Sequence, residues 1–221
     1  MADQSLVSGY PYAAQSRNPF NYTKVEQISR DTTTPWLTLD QVTNHLNLFD
    51  DTSQDGYIST LELVARFAIE DFLGMSIFPT TYRVYYGAEG LVASPSSLDL
   101  PEVSQNINPS LPGLAVVSLG YWNDSTPSVF TALTGYTYDP SGNKVIIGSL
   151  PSNINTNMTA PIVLEYTTAA NPLQSYPSIK QAGLLLLTHL YNNRSNTTDI
   201  QLKEIPFGVA TLLRPYKPLV M

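Results

Sequence analysis

Apolar residues recur at helical spacing through the first third of the chain. Ile58, Leu61, Ala65, Ala68, Ile69 and Phe72 follow one another at steps of three or four positions and predict a helix over residues 54–73. Gly74 stands where a left-handed C-cap would end it. A shorter stripe of Leu39, Val42 and Leu46 predicts a helix over 38–48, opened by Thr38 with Gln41 completing a capping box. A third helix starts at Pro177, a good first helical residue, and runs to about Arg194. Its residues Ile179, Ala182, Leu186 and Leu190 share one face, and Leu185, Leu187 and Tyr191 broaden it. A helix this apolar must be buried on most sides, in its own core or against a neighbouring subunit. His189 sits in that face and reads as a packed, hydrogen-bonded residue, whereas His45 on the first helix reads as a surface or interface residue.

From Ile77 to about Thr168 the pattern changes to alternation broken by Pro, Gly and Asn. The predicted strands are TTYRVYYG, LAVVSLGYW, GYTYD, KVIIGS and PIVLEYTT, with a hairpin turn at Asp139-Pro140-Ser141-Gly142. Residues 93–112 carry four prolines and no period, and read as a long loop. The ends differ from both patterns. Residues 1–36 hold Pro11, Pro19 and Pro35 and little periodicity; they read either as a disordered tail or as an arm that orders on a neighbour, since Tyr10, Tyr12, Phe20 and Tyr22 are costly to leave in water. The closing stretch EIPFGVATLLRPYKPLVM is apolar, short and broken by prolines. It reads as a strap over the domain or, preferably, as an arm that docks into a partner's groove. The expected organisation is α+β: a small helical bundle of three main helices with an inserted β-rich region (77–168), within a domain spanning 37–204, flanked by extended arms at 1–36 and 205–221.

Composition narrows the function. The chain of 221 residues has 18 acidic and 11 basic side chains, a net charge of −7, yet only 13% charged residues. Its surface is polar but nearly neutral, and its scattered Lys and Arg form no stripe for tight nucleic-acid binding. With no cysteine it has neither disulfides nor thiolate metal sites. It holds no apolar run of membrane-spanning length, and the start MADQSLVSGYPYAAQ lacks the pattern of a signal peptide. Matches to N-x-S/T such as Asn193-Arg194-Ser195 are what an Asn-, Ser- and Thr-rich chain gives by chance.

One stretch suggests chemistry. Counted from Asp51, the sequence D-x-S-x-D-G-Y-I-S-x-x-E matches a calcium loop of the EF-hand type. Asp51, Ser53, Asp55, the Tyr57 carbonyl, Ser59 and Glu62 would supply oxygen ligands, and Gly56 the sharp turn. The same residues also suit a helix N-terminus, where Thr52 and Asp55 form a variant capping box and negative charge meets the helix dipole. The apolar rhythm favours the helix start, because it begins at Ile58, inside the supposed loop. No second loop pairs with it: residues 139–150 lack both the Gly and the final Glu. No nucleophile elbow, phosphate-binding glycine loop, zinc-protease motif or dinucleotide fingerprint is present, and no set of residues reads as an enzyme site or implies a cofactor.

Taken in order, these segments resemble the head–tail connector, or adaptor, family of tailed bacteriophages. Residues 37–84 are similar to that family's two opening helices, followed by an extended strand. The third helix is similar to the family form I-K-x-A-x-L-L-L-x-x-H-x-Y-x-N-R, on Ile179, Lys180, Ala182, Leu184, Leu185, Leu186, His189, Tyr191, Asn193 and Arg194. The ending resembles the family's closing motif on Ile205, Pro206, Phe207, Gly208, Val209, Leu212, Leu213, Pro215 and Tyr216. The resemblance covers about residues 37–216; the first 36 residues and the loop at 93–112 fall outside it. It implies a structural virion protein, not an enzyme. Such a protein forms a ring, usually of twelve copies, between the portal and the tail or neck proteins, and lengthens the channel through which double-stranded DNA passes without specific binding. It also implies a place at the head–tail junction after assembly in the host cytoplasm, and no calcium role for the acidic helix start; with no membrane span in the chain, the apolar closing arm is expected to dock onto the portal through Ile205, Pro206, Phe207, Val209, Leu212, Leu213, Pro215 and Tyr216.

Overall fold

The first helix forms where its sequence predicts, because Thr38 satisfies amides that the helix itself cannot. In the computed structural model, which describes residues 20–49, 51–88, 91, 96–101, 114–170, 172–193 and 207–217, helix α1 spans Leu39–Leu46. The Thr38 hydroxyl accepts from the Gln41 amide at 3.3 Å, and the Gln41 side chain accepts from the Thr38 amide at 3.1 Å. The helix ends earlier than expected, at Asn47, whose φ of 55° puts it in the left-handed region that Asn tolerates. Helix α2 spans Asp55–Leu73 and stops at Gly74, with φ of 67°. Helix α3 spans Pro177–Asn192. The closing segment adds a fourth helix, α4, at Phe207–Leu213, which runs into a 3-10 turn at Arg214–Tyr216.

Strands fall at Tyr22–Arg30 (β1), Thr80–Tyr86 (β2), Ser96–Asp99 (β3), Leu114–Trp122 (β4), Phe130–Ala132 (β5), Tyr136–Asp139 (β6), Lys144–Ile147 (β7) and Ile162–Thr168 (β8). They form a five-stranded sheet in the order β1-β2-β8-β4-β5 and a three-stranded sheet in the order β3-β7-β6. The β6–β7 hairpin pairs Tyr138 with Val145 and Asp139 with Lys144. Its turn is held by Asp139, whose carboxylate accepts from the Ser141 amide at 2.9 Å and hydroxyl at 2.6 Å.

Two expectations are corrected here. Part of the predicted N-terminal arm is strand β1, at the edge of the five-stranded sheet; its half-exposed, charge-bearing face blurs the alternation that marks a strand. The predicted long loop contains β3, too short to show a period but buried at Ser96 and Leu98.

The chain divides into two compact units, one of Met1–Val25, Val84–Pro101 and Leu119–Leu164, the other of Glu26–Arg83, Glu102–Ser118 and Glu165–Met221. The first has a small apolar core that includes Tyr86, Leu98, Val145, Ile147 and Ile162. Asn21 and Asp99 exchange hydrogen bonds of 2.9 and 3.0 Å there, and the Tyr86 hydroxyl donates to the Asp99 carbonyl at 2.7 Å.

The second unit holds the four α-helices of the described residues. Helix α3 packs on α1, α2 and α4, and one core joins Val42, Ile58, Leu61, Ala65, Ile69, Ile179, Ala182, Leu186, Val209 and Leu213. Trp36 lies across α3 at Gly183, with its indole N–H donating to the Gln174 carbonyl at 3.0 Å. A Cβ built on Gly183 falls 2.5 Å from the Trp36 ring, so only glycine lets the helix come this close. Gly183→Ala is expected to destabilise the protein by about 1–3 kcal/mol, the ordinary cost of overpacking, despite alanine's better helix propensity. Denaturant unfolding measures this, and a gain in stability would show that Trp36 moves aside freely.

Candidate assembly surfaces

Helix α2 carries a ladder of buried charge along one face. Glu62, Arg66 and Glu70 are spaced by four residues and so lie above one another; they are 4%, 0% and 2% exposed. One oxygen of Glu62 accepts the amides of Trp36 at 2.9 Å and Leu37 at 3.2 Å. Arg66 donates to the carbonyls of Thr34, at 2.7 Å, and Asp31. Glu70 accepts the Ile77 amide at 2.7 Å, and its second oxygen faces the Arg30 guanidinium at 3.1 Å. Burial pushes the Glu70 carboxyl above the ordinary glutamate value, opposed by the Ile77 amide and by Arg30 and Arg66. The ladder thus anchors the backbone of residues 31–37 and the start of the segment after α2. Asp31 completes it from outside: the Thr34 hydroxyl and amide, with the Thr33 amide, hold its carboxyl well below the usual range.

This geometry gives the calcium reading no support. Helix α2 already begins at Asp55, so Tyr57 and Ser59, which in such a loop precede the exit helix, are helical and cannot wrap an ion. Glu62 is turned inward to its two amides, and the Ser59 hydroxyl donates to the Asp55 carbonyl at 2.9 Å. Asp51 accepts the Ser53 amide at 2.9 Å, and the Ser53 hydroxyl together with this amide lowers its pKa. Among the described residues no three His, Asp or Glu side chains gather as a metal site. The variant capping box is absent too. The N-cap is Gln54, whose side chain accepts the Tyr191 hydroxyl at 2.9 Å instead of capping.

The residues of the predicted third-helix face distribute as follows. Ile179, Ala182 and Leu186 are buried, while Leu190 and Tyr191 are partly buried against the same core. His189 is half-buried, with its carbonyl accepting from the Asn193 side chain at 2.7 Å; His45 is half-buried in the last turn of α1. Leu185, expected to broaden the apolar face, is 38% exposed. It belongs to an outer stripe with Pro177, Gln181, Thr188 and Asn192 that carries no charge. Uncharged exposed faces of this kind suit subunit contacts.

The closing segment is not wholly free to reach a partner. Val209 and Leu213, one helical turn apart, are 1% and 0% exposed in the core of their own chain. Leu212 and Tyr216 are partly buried against that core, Tyr216 meets Tyr176 edge-on at 5.6 Å, and the Lys217 ammonium lies 5.1 Å from the Phe72 ring. Gly208, Thr211, Arg214 and Pro215 face outward. Ile205 and Pro206, Arg194 and the side chain of Phe207 lie outside the described residues.

Sequence reasoning missed two further features of this unit. Between the stretch before α1, α1 itself and the first half of α2 lies an open cleft of about 280 Å³. Leu37, Val42 and Ile58 form its floor, and Pro35, Leu39 and Leu63 stand around them. At the α1–α2 turn Phe49 is 79% exposed. Phe49, next to Leu48 and directly before the acidic run, was legible as an apolar residue at a turn; the cleft, built by segments far apart in sequence, was not.

Solved structures share this fold. A chain from the virion of the native gene transfer agent (GTA) particle gives a TM-score of 0.60 at 18% identity, over 90% of this chain and 97% of that one. With the same coverage, a chain from the neck of the empty GTA particle, computed with C6 symmetry, gives 0.59 at 17% identity. One from the neck of the native GTA particle, computed with C12 symmetry, gives 0.57 at 17%. At these identities the likeness is one of fold, and it runs nearly the whole length of both partners. No protein-family model and no curated protein matches the chain. The resemblance to head–tail connectors, read from the helix-three and closing motifs, thus has its counterpart in a fold found in particle necks.

Glu62→Ala should cost about 2–4 kcal/mol, because it strands two amides beneath the helix. Thermal melts with and without millimolar calcium should coincide for wild type; a calcium-dependent rise that this variant abolishes would restore the EF-hand reading. Asp31→Ala should lower Tm at pH 7. A depressed pKa gives stability that is present above the unfolded value of 3.8 and is lost as pH falls toward the folded value. The Tm gap between Asp31→Ala and wild type should therefore shrink from pH 5 to pH 2.5. Glu70, with its raised pKa, contributes in the opposite sense, losing stability as pH rises.

Proposed function

We propose that this chain is a structural subunit of a particle neck, a head–tail connector that forms a ring, usually of twelve copies, between portal and tail. The single observation that carries the reading is the fold likeness to neck chains over 97% of their length, in assemblies of C6 and C12 symmetry. The residues agree with it. The outer stripe of α3 offers an uncharged surface for a neighbouring copy, and the low content of charged groups reduces the desolvation that such contacts cost. The net charge of −7 makes a channel wall built from this chain repel DNA rather than bind it, so double-stranded DNA slides through. The site of action is the head–tail junction of the virion, reached after assembly in the host cytoplasm. The role is structural rather than enzymatic.

Docking onto the portal falls to the closing segment, Ile205 to Tyr216 in the connector motif. Within it, Val209 and Leu213 hold the segment to the body of the subunit. The outward residues, Thr211 and Pro215 among them, together with Ile205, Pro206 and Phe207, meet the portal. Removing the whole segment would also strip the core, so surface substitutions test the idea more cleanly.

Native mass spectrometry of the chain co-expressed with its portal should give complexes with about one chain per portal subunit. The double variant Thr211→Asp and Pro215→Asp should keep the wild-type melting curve and lose most portal binding. A wild-type chain that never associates with the portal would overturn the connector reading. Undiminished binding by the double variant would move the docking surface elsewhere.

A further inference from the structure

Phe49 combines two features that a folded chain ordinarily avoids. Its ring is 79% exposed, more than any other large apolar side chain among the described residues. Its backbone has φ of 45°, in the left-handed region that is unfavourable for a bulky L-residue. The other described non-glycine residues with positive φ are Asn47 and Asn143, both of a type that tolerates it. The strain has no local reward, since the ring does not return to its own core. Strain of this kind persists where function requires a side chain to be aimed.

On the same helical unit lies the cleft between α1, α2 and the stretch before them. Its volume of about 280 Å³ is below the usual range for cofactor pockets but suits one aromatic side chain. Its floor is apolar, and Glu62, the one ionisable side chain among its lining residues, already holds the Trp36 and Leu37 amides. The match is one of shape and apolar surface rather than of charge, since Glu62 lines the cleft, Asp40 adjoins its lining residue Leu39 and Asp51 closely follows Phe49.

A closed ring of more than two copies needs two different, complementary patches on every subunit, because its contacts are head-to-tail. We infer that Phe49 is the knob of this contact and that it inserts into the Leu37–Val42–Ile58 cleft of the next copy. This rests on the ring reading above and names the residues that close the ring. It also accounts for the strained turn, which fixes the direction of the ring before the subunits meet and so spares its ordering on assembly.

Two variants of the full chain test it. Phe49→Ser removes the knob, and Ser59→Trp fills the cleft from its exposed rim. Mass photometry should show rings for wild type and monomers for either variant, with association weakened at least about thirty-fold, as for loss of an interface hot spot. An equimolar mixture should stop at dimers, since the Phe49 of one variant still fits the open cleft of the other. Far-UV circular dichroism and melting curves matching wild type exclude misfolding as the cause. Rings formed by either variant, or a mixture that stays monomeric, would overturn the knob-and-cleft contact while leaving the neck reading intact. Wild type that forms no ring, alone or on the portal, would overturn both.

Discussion

The helical unit depends on the charged ladder of α2. Glu62, Arg66 and Glu70 face inward, and each is bonded chiefly to backbone rather than to another side chain. Their targets are the amides and carbonyls of residues 31–37 and the amide of Ile77, which have no helix or strand partner of their own. Buried backbone groups must be paired, so an apolar α2 would leave this irregular chain unsatisfied. The opposite charges at steps of four also offset one another, which reduces the cost of taking each out of water. Without the ladder the stretch that carries Trp36 and Leu37 into the core would have no reason to hold its path.

That stretch determines what the third helix can do. Trp36 lies against Gly183, and Leu37 and Val42 extend the same packing to α2. The inner face of α3 is thereby filled from within the chain, including by Val209 and Leu213 from the closing helix. What remains exposed on this unit, among the described residues, includes the outer stripe around Leu185, the outward side of the closing segment and the α1–α2 turn. A helical unit built this way packs on its own core and leaves a separate, weakly charged set of surfaces exposed, in keeping with the neck reading proposed above.

The acidic run at residues 50–55 shows how a ligand-like pattern is absorbed by local structure. Its donors match an ion only if they are arranged around a loop. Here the helix starts at Asp55, Asp51 closes a turn with Ser53, and Glu62 points the other way. The order of residue types was visible in the sequence; the direction of each side chain was not.

The sequence by itself determined the three main helices, because their stripes, the Thr38 capping box, Gly74 and Pro177 act over a few residues, and five of the strands through alternation and turn chemistry; the closing helix Phe207–Leu213, read as an extended arm, it did not. It also carried the connector-like motifs of the third helix and the closing segment. Only the tertiary structure decided the rest. Strand β1 is an edge strand with a mixed face, and β3 and β5 are too short to show a period, so their pairing partners define them. The roles of Glu62, Gly183, Val209 and Leu213 depend on residues far away in the chain, as Gly183 depends on Trp36. Local pattern reports which residues avoid water; which surface covers them is settled by contacts that no short window of sequence contains.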